Sequence, residues 1–580
     1  MRAQVGRSLS SALIACSLAA CSGAIDGAND GVGAGGGAAA AGSGGFGGAG
    51  GQGGTLGGAG GMAGVGGGNG GTGPDGNCIP ELRAPRAVLA PMRQYQTILR
   101  DLFGPDAVRA EDESVDIEFE VIDRPRMSTS SLDQILRTAE GATESVRGRT
   151  ASVLGCSALT DRACVQTGLT AVARRAFKRA PAADEIQKLM DLYDEVIALG
   201  PGPDTDLNED AALAALMGIV TSPSTLYRTE FEALSGTPER VALTADERAA
   251  AIAALLLDSV PDAELLAAAD SGALLDPAGV AAELERLFQL PRVQEHLTRV
   301  MLSGFKVPKL FQSPKDSAAF PEYTAELQLS MYGETRSFLD DVLFTRQAPL
   351  TELLLSRRSF VDSRLAELYG VTYPGVPGGD ELLGVDLPAA RSGILTQASV
   401  LSVLSRTEKT SVVARGLFVR GAIMCLTKVP GPPPEVQAQV DAQLNADSTQ
   451  AELAEFRATT QPCLTCHKQF DRFGLLLEAF DAIGREQPGA TAIDLTGLGD
   501  FMGVVNGPVE LAQVLTADSQ FVDCLAERVL SYALSEATTT GESCIPPSIA
   551  TDLHAPTANM RTLIDTVVAH PAFNERALVP

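Results

Sequence analysis

The chain has no tryptophan, only four histidines and no long run of basic residues. Its 45 lysines and arginines are outnumbered by 72 aspartates and glutamates, which gives a formal net charge of −27. Because phosphate backbones are bound by concentrated Lys and Arg, this balance argues against nucleic acid as a partner. Scarce histidine also makes a histidine inside a motif more informative than it would be in a histidine-rich chain.

Strand patterns are sparse as well. Residues 114–123 alternate roughly and form one candidate strand, whereas most of the chain shows helical spacing of its apolar residues. No strand–turn–helix nucleophile elbow is evident, so a Ser-His-Asp hydrolase of that type is not supported. The sequence therefore predicts a mainly α, multi-domain helical body with short loops.

The N-terminus has the pattern of an export signal. Arg2 and Arg7 form a basic region, and residues 8–20 are an apolar stretch too short to span a bilayer permanently. The stretch ends in Leu-Ala-Ala-Cys, which resembles a bacterial lipobox, so Cys21 is predicted to be lipidated. The alternative is a plain secretory signal without lipid. Ser22 is not the acidic residue typical of inner-membrane retention, so we expect anchoring at the outer membrane or cell surface, with a periplasmic position also open.

Glycine and alanine dominate the next part of the chain, from residue 31 to residue 73. Such a segment lacks the apolar content to fold, and glycine loses the most entropy on ordering. No strict three-residue period runs through it, which argues against a repeat structure. Residues 22–77 are therefore predicted to be a disordered, flexible tether between the lipid anchor and the body.

Near the C-terminal end, Cys463, Cys466 and His467 form a CxxCH motif. This spacing is the attachment signature for c-type haem, because two thiols on one helical turn can each add to a vinyl group of the same porphyrin. We therefore expect a covalent haem c, with His467 as the proximal iron ligand. The alternatives are a short disulfide, a free dithiol or a zinc half-site. Zinc is weaker, because His467 beside Cys466 cannot easily complete the same tetrahedron.

Apolar residues after the motif have the spacing of one helical face. They are Cys466, Phe470, Phe473, Leu477 and Phe480. Gly484 is placed where a helix would end on a left-handed residue, and Pro488 follows. This pattern predicts a single helix that packs against the haem and makes the C-terminal part cytochrome-c-like. The alternative is that the face is ordinary core.

Candidates for the second axial position lie elsewhere in the sequence. Met502 is the nearest one downstream, although a plain core methionine is the alternative. Met424, His554 and His570 are further candidates.

The roles of four other charged residues or histidines each allow two interpretations. Arg415 and Arg485 are expected to pair either with haem propionates or with Glu478 and Asp481. Glu334 falls on an apolar helical stripe, where an acid is usually a buried partner for arginine and a catalytic role is the alternative. A solvated or packing role is expected for His296, among Gln294, Glu295 and Arg299.

Six cysteines remain after Cys16 leaves with the signal, Cys21 is lipidated and the motif pair takes the haem. An even remainder in an exported chain predicts disulfides, although the sequence leaves their connectivity open. We expect the short-range pairs Cys156–Cys164 and Cys524–Cys544, which leaves Cys78 with Cys425. No histidine or further cysteine clusters near them, which favours disulfides over a metal.

Changes in composition and periodicity divide the chain into seven parts. They are a signal peptide at 1–21, the tether at 22–77, an N-terminal helical module at 78–150, a small two-helix module at 151–200, a central helical domain at 201–385, the CxxCH-containing module at 386–490 and a C-terminal helical module at 491–580. The Pro-Gly-Pro-Pro-Pro run at 430–434 is predicted to be a stiff, extended joint.

Several of these stretches together resemble one family of exported bacterial proteins, often grouped with planctomycete-type cytochromes. Its domains of unknown function are numbered 1587, 1595, 1592, 1588 and 1585. Residues 93–104 resemble the first of these domains and residues 174–177 the second. The third is matched by residues 222–228 with 261–265, and the fourth by residues 391–396, 415–416 and 463–485. Residues 530–534 resemble the last. It covers most of residues 83–536, and it implies a periplasmic or surface protein with one covalent haem but supplies no reaction. This chain departs from the pattern at Leu404, where relatives tend to have histidine, and at Val412 and Val413, which replace a Ser-Pro-like step.

Three functions follow as hypotheses. The first is a membrane-anchored, exported c-type-cytochrome-like protein with an electron-transfer or redox accessory role and a redox partner protein. The second is a non-redox surface scaffold or binding lipoprotein in which the CxxC is a disulfide. The third is a haem-dependent oxidoreductase, which an open sixth position on the iron would favour.

Overall fold

Helices make up most of the architecture, as the sequence predicts. The structure is a computed structural model, and it describes residues 78–109, 127–200, 206–231, 240–426, 429, 449–461, 463–488, 492–498 and 501–577. The predicted signal and tether, Cys21, the candidate strand at 114–123 and the joint at 430–434 lie outside the described residues.

Helices of the first half come before the CxxCH region. They are α1 (Met92–Phe103), α2 (Thr129–Glu144), α3 (Thr150–Val153), α4 (Arg162–Phe177), α5 (Ala183–Ala198), α6 (Leu207–Val220), α7 (Pro223–Leu226), α8 (Ala245–Leu256), α9 (Ala263–Asp270), α10 (Pro277–Phe288), α11 (Pro291–Gly304), α12 (Ala325–Asp340), α13 (Glu352–Leu355) and α14 (Ser363–Tyr369). The helical stripe that carries Glu334 belongs to α12, which is followed by a π-helical turn at Asp341–Thr345.

The second half continues with shorter helices. They are α15 (Ala398–Val403), α16 (Val412–Phe418), α17 (Gln450–Thr459), α18 (Cys463–His467), α19 (Asp471–Leu475), α20 (Gly507–Leu515), α21 (Gln520–Leu534), α22 (Thr540–Ser543), α23 (Pro547–Leu553), α24 (Met560–Ala569) and α25 (Pro571–Asn574). A π-helical turn at Val419–Ile423 extends α16. Four 3₁₀ turns, at Pro105–Ala107, Ala273–Leu275, Val307–Gln312 and Ile394–Thr396, complete the helical part of the described chain.

Short antiparallel strand pairs join both neighbouring and distant parts of the described chain. The strands are β1 (Ala87–Leu89), β2 (Tyr227–Thr229), β3 (Arg240–Ala242), β4 (Arg358–Val361), β5 (Leu383–Asp386), β6 (Ala492–Asp494), β7 (Val504–Asn506) and β8 (Glu575–Ala577). In the described chain β1 pairs with β2, β3 with β8, β4 with β5 and β6 with β7. In the β3–β8 pair, Arg240 lies opposite Ala577, so the C-terminal strand is held against the start of the central region.

Helix starts follow the capping signals in the sequence. At α8, Thr244 accepts a bond from the amide of Glu247, and the Glu247 carboxylate accepts one from the amide of Thr244. At α10, the Asp276 carboxylate accepts a bond from the amide of Ala278, and Pro277 occupies the first turn. These caps satisfy backbone donors that the helix itself leaves without a partner.

The largest apolar core draws side chains from Ala249 to Phe573. It includes residues of the predicted central domain, of the CxxCH-containing module and of the C-terminal module, so these three stretches share one buried interior. Where one module ends and the next begins along the chain stays a prediction.

The six remaining cysteines form three disulfides, as predicted, but only one pairing is the expected one. Cys156 bonds Cys164. The other two expected pairs are wrong, since Cys78 bonds Cys544 and Cys425 bonds Cys524. The reason is tertiary: α21 packs against the π-helical turn that precedes Cys425, so Cys524 meets Cys425, and Cys544 is left for the N-terminal segment.

Buried ion pairs join the beginning and the end of the described body. Glu230, with 3% exposure, accepts bonds from Arg86 at 2.9 Å and Arg576 at 2.5 Å. Arg83 bonds Glu536 at 2.9 Å and Glu542 at 2.8 Å. Together with the Cys78–Cys544 bond, these contacts form what we call the terminal clasp.

Among the described residues, none of the helices combines the length and the apolar character that crossing a bilayer requires.

Candidate functional site

The CxxCH residues lie on a very short helix between two others. The preceding helix, α17, begins with a capping box between Thr449 and Glu452. The motif forms α18, and α19 starts four residues after His467, at Asp471. The expected single helix from Cys466 to Gly484 is wrong, because Phe470 has φ −145° and interrupts it. Gly484 does adopt the left-handed φ of +84°, but it closes a turn with Asp481.

Both motif cysteines are free thiols. Cys463 is buried, with 7% exposure, and Cys466 is partly exposed. The alternative in which Cys463 and Cys466 form a disulfide is therefore wrong for this structure. Within the described chain, no group of three or more His, Cys, Asp or Glu side chains is arranged to hold a metal ion.

His467 is held by a carboxylate. Its Nδ1 lies 3.1 Å from Oδ1 of Asp471, four residues further along the chain. The other oxygen, Oδ2, accepts a 2.8 Å bond from Nε of Arg457 in α17. Asp471 and Arg457 are buried, with 4% and 6% exposure. The His467 side chain is 22% exposed, and its ring lies 5.0 Å from that of Phe470.

The apolar side chains that follow the motif belong to the protein interior. Phe470, Phe473, Leu477 and Phe480 are all at most 3% exposed. The last three are part of the largest core, as the ordinary-core alternative predicts.

Two glycines bring α16 and α19 unusually close together. A Cβ placed on Gly474 would overlap the carbonyl oxygen of Val412, and one placed on Gly416 would overlap the carbonyl oxygen of Phe470. The helix that follows the motif is therefore seated against α16 by backbone-to-backbone contact.

Arg415 has protein partners and no exposure to solvent. Its Nη1 donates to Oε1 of Glu478 at 2.9 Å and to the carbonyls of Leu477 and Phe480, and its Nη2 donates to the carbonyl of Asp481. Burial raises the pKa of Glu478, and the charge of Arg415 opposes that rise. Arg485 bonds Glu322 at 2.6 Å and Asp481 at 3.1 Å. Both arginines thus have carboxylate partners, as one of the two sequence readings expects.

The residues considered for the second axial position lie in different surroundings. Met502 is 82% exposed, next to β7, whereas Met424 is buried in the core. His554 contacts Asp523 at 2.6 Å. His570 uses both ring nitrogens, one toward the carbonyl of Cys544 at 2.9 Å and one as acceptor from the amide of Ala572. An axial role for Met502 stays a prediction.

Glu334 is fully buried at the junction of α12, β4 and α14. Its Oε1 accepts from Ser359 at 2.7 Å and its Oε2 accepts from Tyr369 at 2.6 Å. Arg391 stacks on the Tyr369 ring at 4.0 Å, so the expected arginine lies nearby without a direct bond to the carboxylate. Burial raises the pKa of Glu334 to about 7, although both hydroxyl donors and Arg391 oppose the rise.

His296 is a packing histidine, one of its two predicted roles. It is 3% exposed, and its Nε2 lies 3.1 Å from the carbonyl of Leu255. Burial and the neighbouring Arg299 lower its pKa well below the ordinary value.

The donor groups at the motif fit a covalently attached haem. Thioether formation requires free thiols, and Cys463 and Cys466 provide them on one helical turn. An iron ligand requires an imidazole nitrogen without a proton, and the contact of Nδ1 with a carboxylate directs the proton to Nδ1. Among the residues that the structure describes, Nε2 of His467 makes no hydrogen bond.

Sequence reasoning missed the two residues that hold His467. Asp471 stands four positions after the histidine, and in the expected single helix this spacing would place both side chains on one face, so that signal was present. Arg457 stands ten positions before it on a separate helix, and no local pattern connects the two.

Four protein-family models match consecutive stretches of the chain. Protein of unknown function (DUF1595) matches residues 164–230, and Protein of unknown function (DUF1592) matches residues 243–371. Protein of unknown function (DUF1588) matches residues 391–489, which include the CxxCH motif, and Protein of unknown function (DUF1585) matches residues 503–573. Residues 222–228 therefore belong to the DUF1595 match and not, as expected, to the DUF1592 stretch. No curated protein and no solved structure matches the chain.

Proposed function

We propose, from the premise that this chain belongs to the multi-domain family of those four domains, that it is an exported c-type-cytochrome-like protein. In this proposal it carries one covalent haem at Cys463, Cys466 and His467, and it exchanges electrons with a redox partner protein. A lipid on Cys21 holds it at the outer membrane or the cell surface.

One observation carries the proposal: two free thiols and a carboxylate-held imidazole occur together on a five-residue helix. Each thiol would form a thioether by adding sulfur to one carbon of a vinyl group and its hydrogen to the other. His467 would present Nε2 to the iron. The bound haem would supply a one-electron couple whose potential depends on its axial ligands and their hydrogen bonds.

A second candidate function is a haem-dependent oxidoreductase. It is favoured by the surroundings of the axial candidates, because His570 uses both ring nitrogens, His554 pairs with Asp523 and Met424 lies in the core. If Met502 does not bind either, the iron keeps an open position at which peroxide could react.

Expression of the full chain in a host that attaches haem c tests both functions. We expect a coloured protein in which the haem stays attached on denaturation and the intact mass rises by one haem. The double variant Cys463→Ser/Cys466→Ser should be colourless with an unchanged circular-dichroism spectrum. A colourless wild type with unmodified thiols would refute haem attachment.

The spectrum of the same sample separates the two functions. A six-coordinate spectrum supports electron transfer, and its conversion to a five-coordinate one in Met502→Ala would identify the sixth ligand. A five-coordinate spectrum in the wild type supports the oxidoreductase. Mass spectrometry of the mature N-terminus, with Cys21→Ser as control, tests the lipid anchor.

A further inference from the structure

The group that holds His467 is an ion pair supplied by two other helices. Arg457 lies in the last turn of α17, and Asp471 is the first residue of α19. Each oxygen of Asp471 has its own donor, since Oδ1 faces Nδ1 of His467 and Oδ2 accepts from Nε of Arg457. The carboxylate therefore joins a cation to the imidazole.

Burial strengthens the electrostatic interactions among these three side chains. Asp471 and Arg457 are 4% and 6% exposed, so water screens their charges little. A carboxylate that accepts a hydrogen bond from Nδ1–H fixes the tautomer and raises the basicity of the opposite nitrogen, Nε2. Arg457 acts in the reverse sense, because it draws part of the same negative charge toward its own N–H group.

One hydrogen-bond donor of Arg457 has no acceptor in the described part of the chain. Its Nη2 is buried and has no hydrogen-bond partner in the described part of the chain. Arg457 is thus bound to Asp471 through Nε alone, which limits how much of the carboxylate's charge it withdraws.

We infer that the buried Arg457–Asp471 pair is a positioning device that fixes the Nδ1–H tautomer of His467 and sets how strongly Nε2 donates electrons. The inference rests on the proposed function for its redox part, since it assumes that His467 binds the haem iron. Neither residue would bind the iron directly, so both would act through His467.

Two substitutions should then shift the reduction potential in opposite directions. Asp471→Asn replaces the carboxylate by a neutral acceptor, so Nε2 should donate less electron density to the iron. The reduced state of the haem should then be stabilised relative to the oxidised state. Arg457→Gln removes the cation that competes for the carboxylate's charge, so Nε2 of His467 should donate more electron density to the iron. The oxidised state of the haem should then be stabilised relative to the reduced state. At a fixed solution potential, we expect each substitution to change the ratio of reduced to oxidised protein at least tenfold. For a one-electron couple, a tenfold change corresponds to a shift of about 59 mV in reduction potential.

The control is Glu455→Gln on an exposed position of α17. It removes one negative charge near the motif without a contact to His467, so it measures the through-space effect, which should be smaller than that of Asp471→Asn. Potential shifts of the same sign in the two test variants, or shifts no larger than that of the control, would overturn the tuning role.

A haem-free measurement decides the positioning role separately. In full-length protein made without haem attachment, ¹⁵N NMR at pH 8 should show the Nδ1–H tautomer for His467, assigned by the loss of its signal in His467→Gln. Asp471→Ala should shift it toward the Nε2–H tautomer. An Nε2–H tautomer in the wild type would overturn the inference even if haem attaches. An Nδ1–H tautomer in a protein that never takes haem would refute the proposed function while the positioning role stands.

Discussion

At position 334, a carboxyl group lies among Ser359, Tyr369 and Arg391 with no exposure to solvent. Arg391 is 1% exposed and sandwiched between the rings of Tyr369 and Phe480, at 4.0 and 4.5 Å. It also donates to the carbonyls of Thr396 and Gly484. These residues link the central region to Gly484, downstream of the CxxCH helix, so the ionisation of Glu334 bears on folding.

Replacement of Glu334 by glutamine should flatten the pH dependence of stability. Burial raises the pKa of Glu334 from 4.5 to about 7, so the folded state keeps this proton up to a higher pH than the unfolded chain does. The wild type therefore loses stability as the pH rises from about 4.5 to about 7, by about 3 kcal/mol from this group alone. Glu334→Gln keeps an acceptor for Tyr369 and has no proton to lose.

Urea unfolding of both proteins at pH 4.5, 5.5, 7 and 8 measures this difference. The stability of Glu334→Gln relative to wild type should increase across the series. The control Glu326→Gln lies in the same helix, α12, at an exposed position. A constant difference between Glu334→Gln and wild type at all four pH values would contradict the assignment.

At the scale of elements, α16 and α19 form the closest helix contact near the motif. Gly416 and Gly474 face backbone carbonyls of the opposite helix, where even a methyl group has no room. The contact fixes α19, and hence Asp471, relative to the buried face of α16, which carries Arg415. Packing of this kind is sensitive to the addition of a single carbon.

Gly474→Ala should push α19 away from α16 and destabilise the protein by about 3 kcal/mol. Guanidinium unfolding measures the loss. Gly421→Ala is the matched control, because a Cβ at Gly421 meets nothing within 4 Å, and it should change stability by less than about 0.5 kcal/mol. Equal effects of the two substitutions would show that the close approach does not limit packing here.

Local signals predicted elements well, and long-range contacts decided the rest. The caps at Thr244 and Asp276 were predictable because a cap involves only residues within one turn. The single helix after Cys466 was wrong because α19 is held by its contact with α16 and the chain bends at Phe470 to reach it. Periodicity alone does not encode that partner.

In the candidate site, too, the residues that are close in sequence were predicted and the distant partners were not. Spacing identified Cys463, Cys466 and His467, because the motif lies within five residues. Arg457 and the disulfide partners of Cys78 and Cys425 could not be predicted, since each pairing depends on how distant helices pack. The side chains around Arg415 were foreseen only as one of two options, and the structure selects Glu478.

At the scale of the whole molecule, the terminal clasp connects residues separated by 466 positions. Cys78 bonds Cys544, and Arg83 and Arg86 each bond Glu536. The β3–β8 pair adds backbone bonds near the same end of the chain. The clasp therefore restrains both ends of the described body at once.

Removal of this disulfide should destabilise the protein more than removal of the short one. Cys78→Ser/Cys544→Ser frees a loop of 466 positions, whereas Cys156→Ser/Cys164→Ser frees one of 8. Because the entropy restrained by a crosslink grows with the logarithm of loop length, the first loss should exceed the second by roughly 3.6 kcal/mol. Thermal and urea unfolding under oxidising conditions provide the comparison, and equal losses would contradict it.

The clasp also determines how the body responds to mechanical load. Tension that arrives along the chain ahead of Cys78 meets a covalent bond to Cys544 before it meets any helix. A pull at Cys78 would therefore be shared between the segment that leads to α1 and the segment around Cys544 for as long as the disulfide stays oxidised.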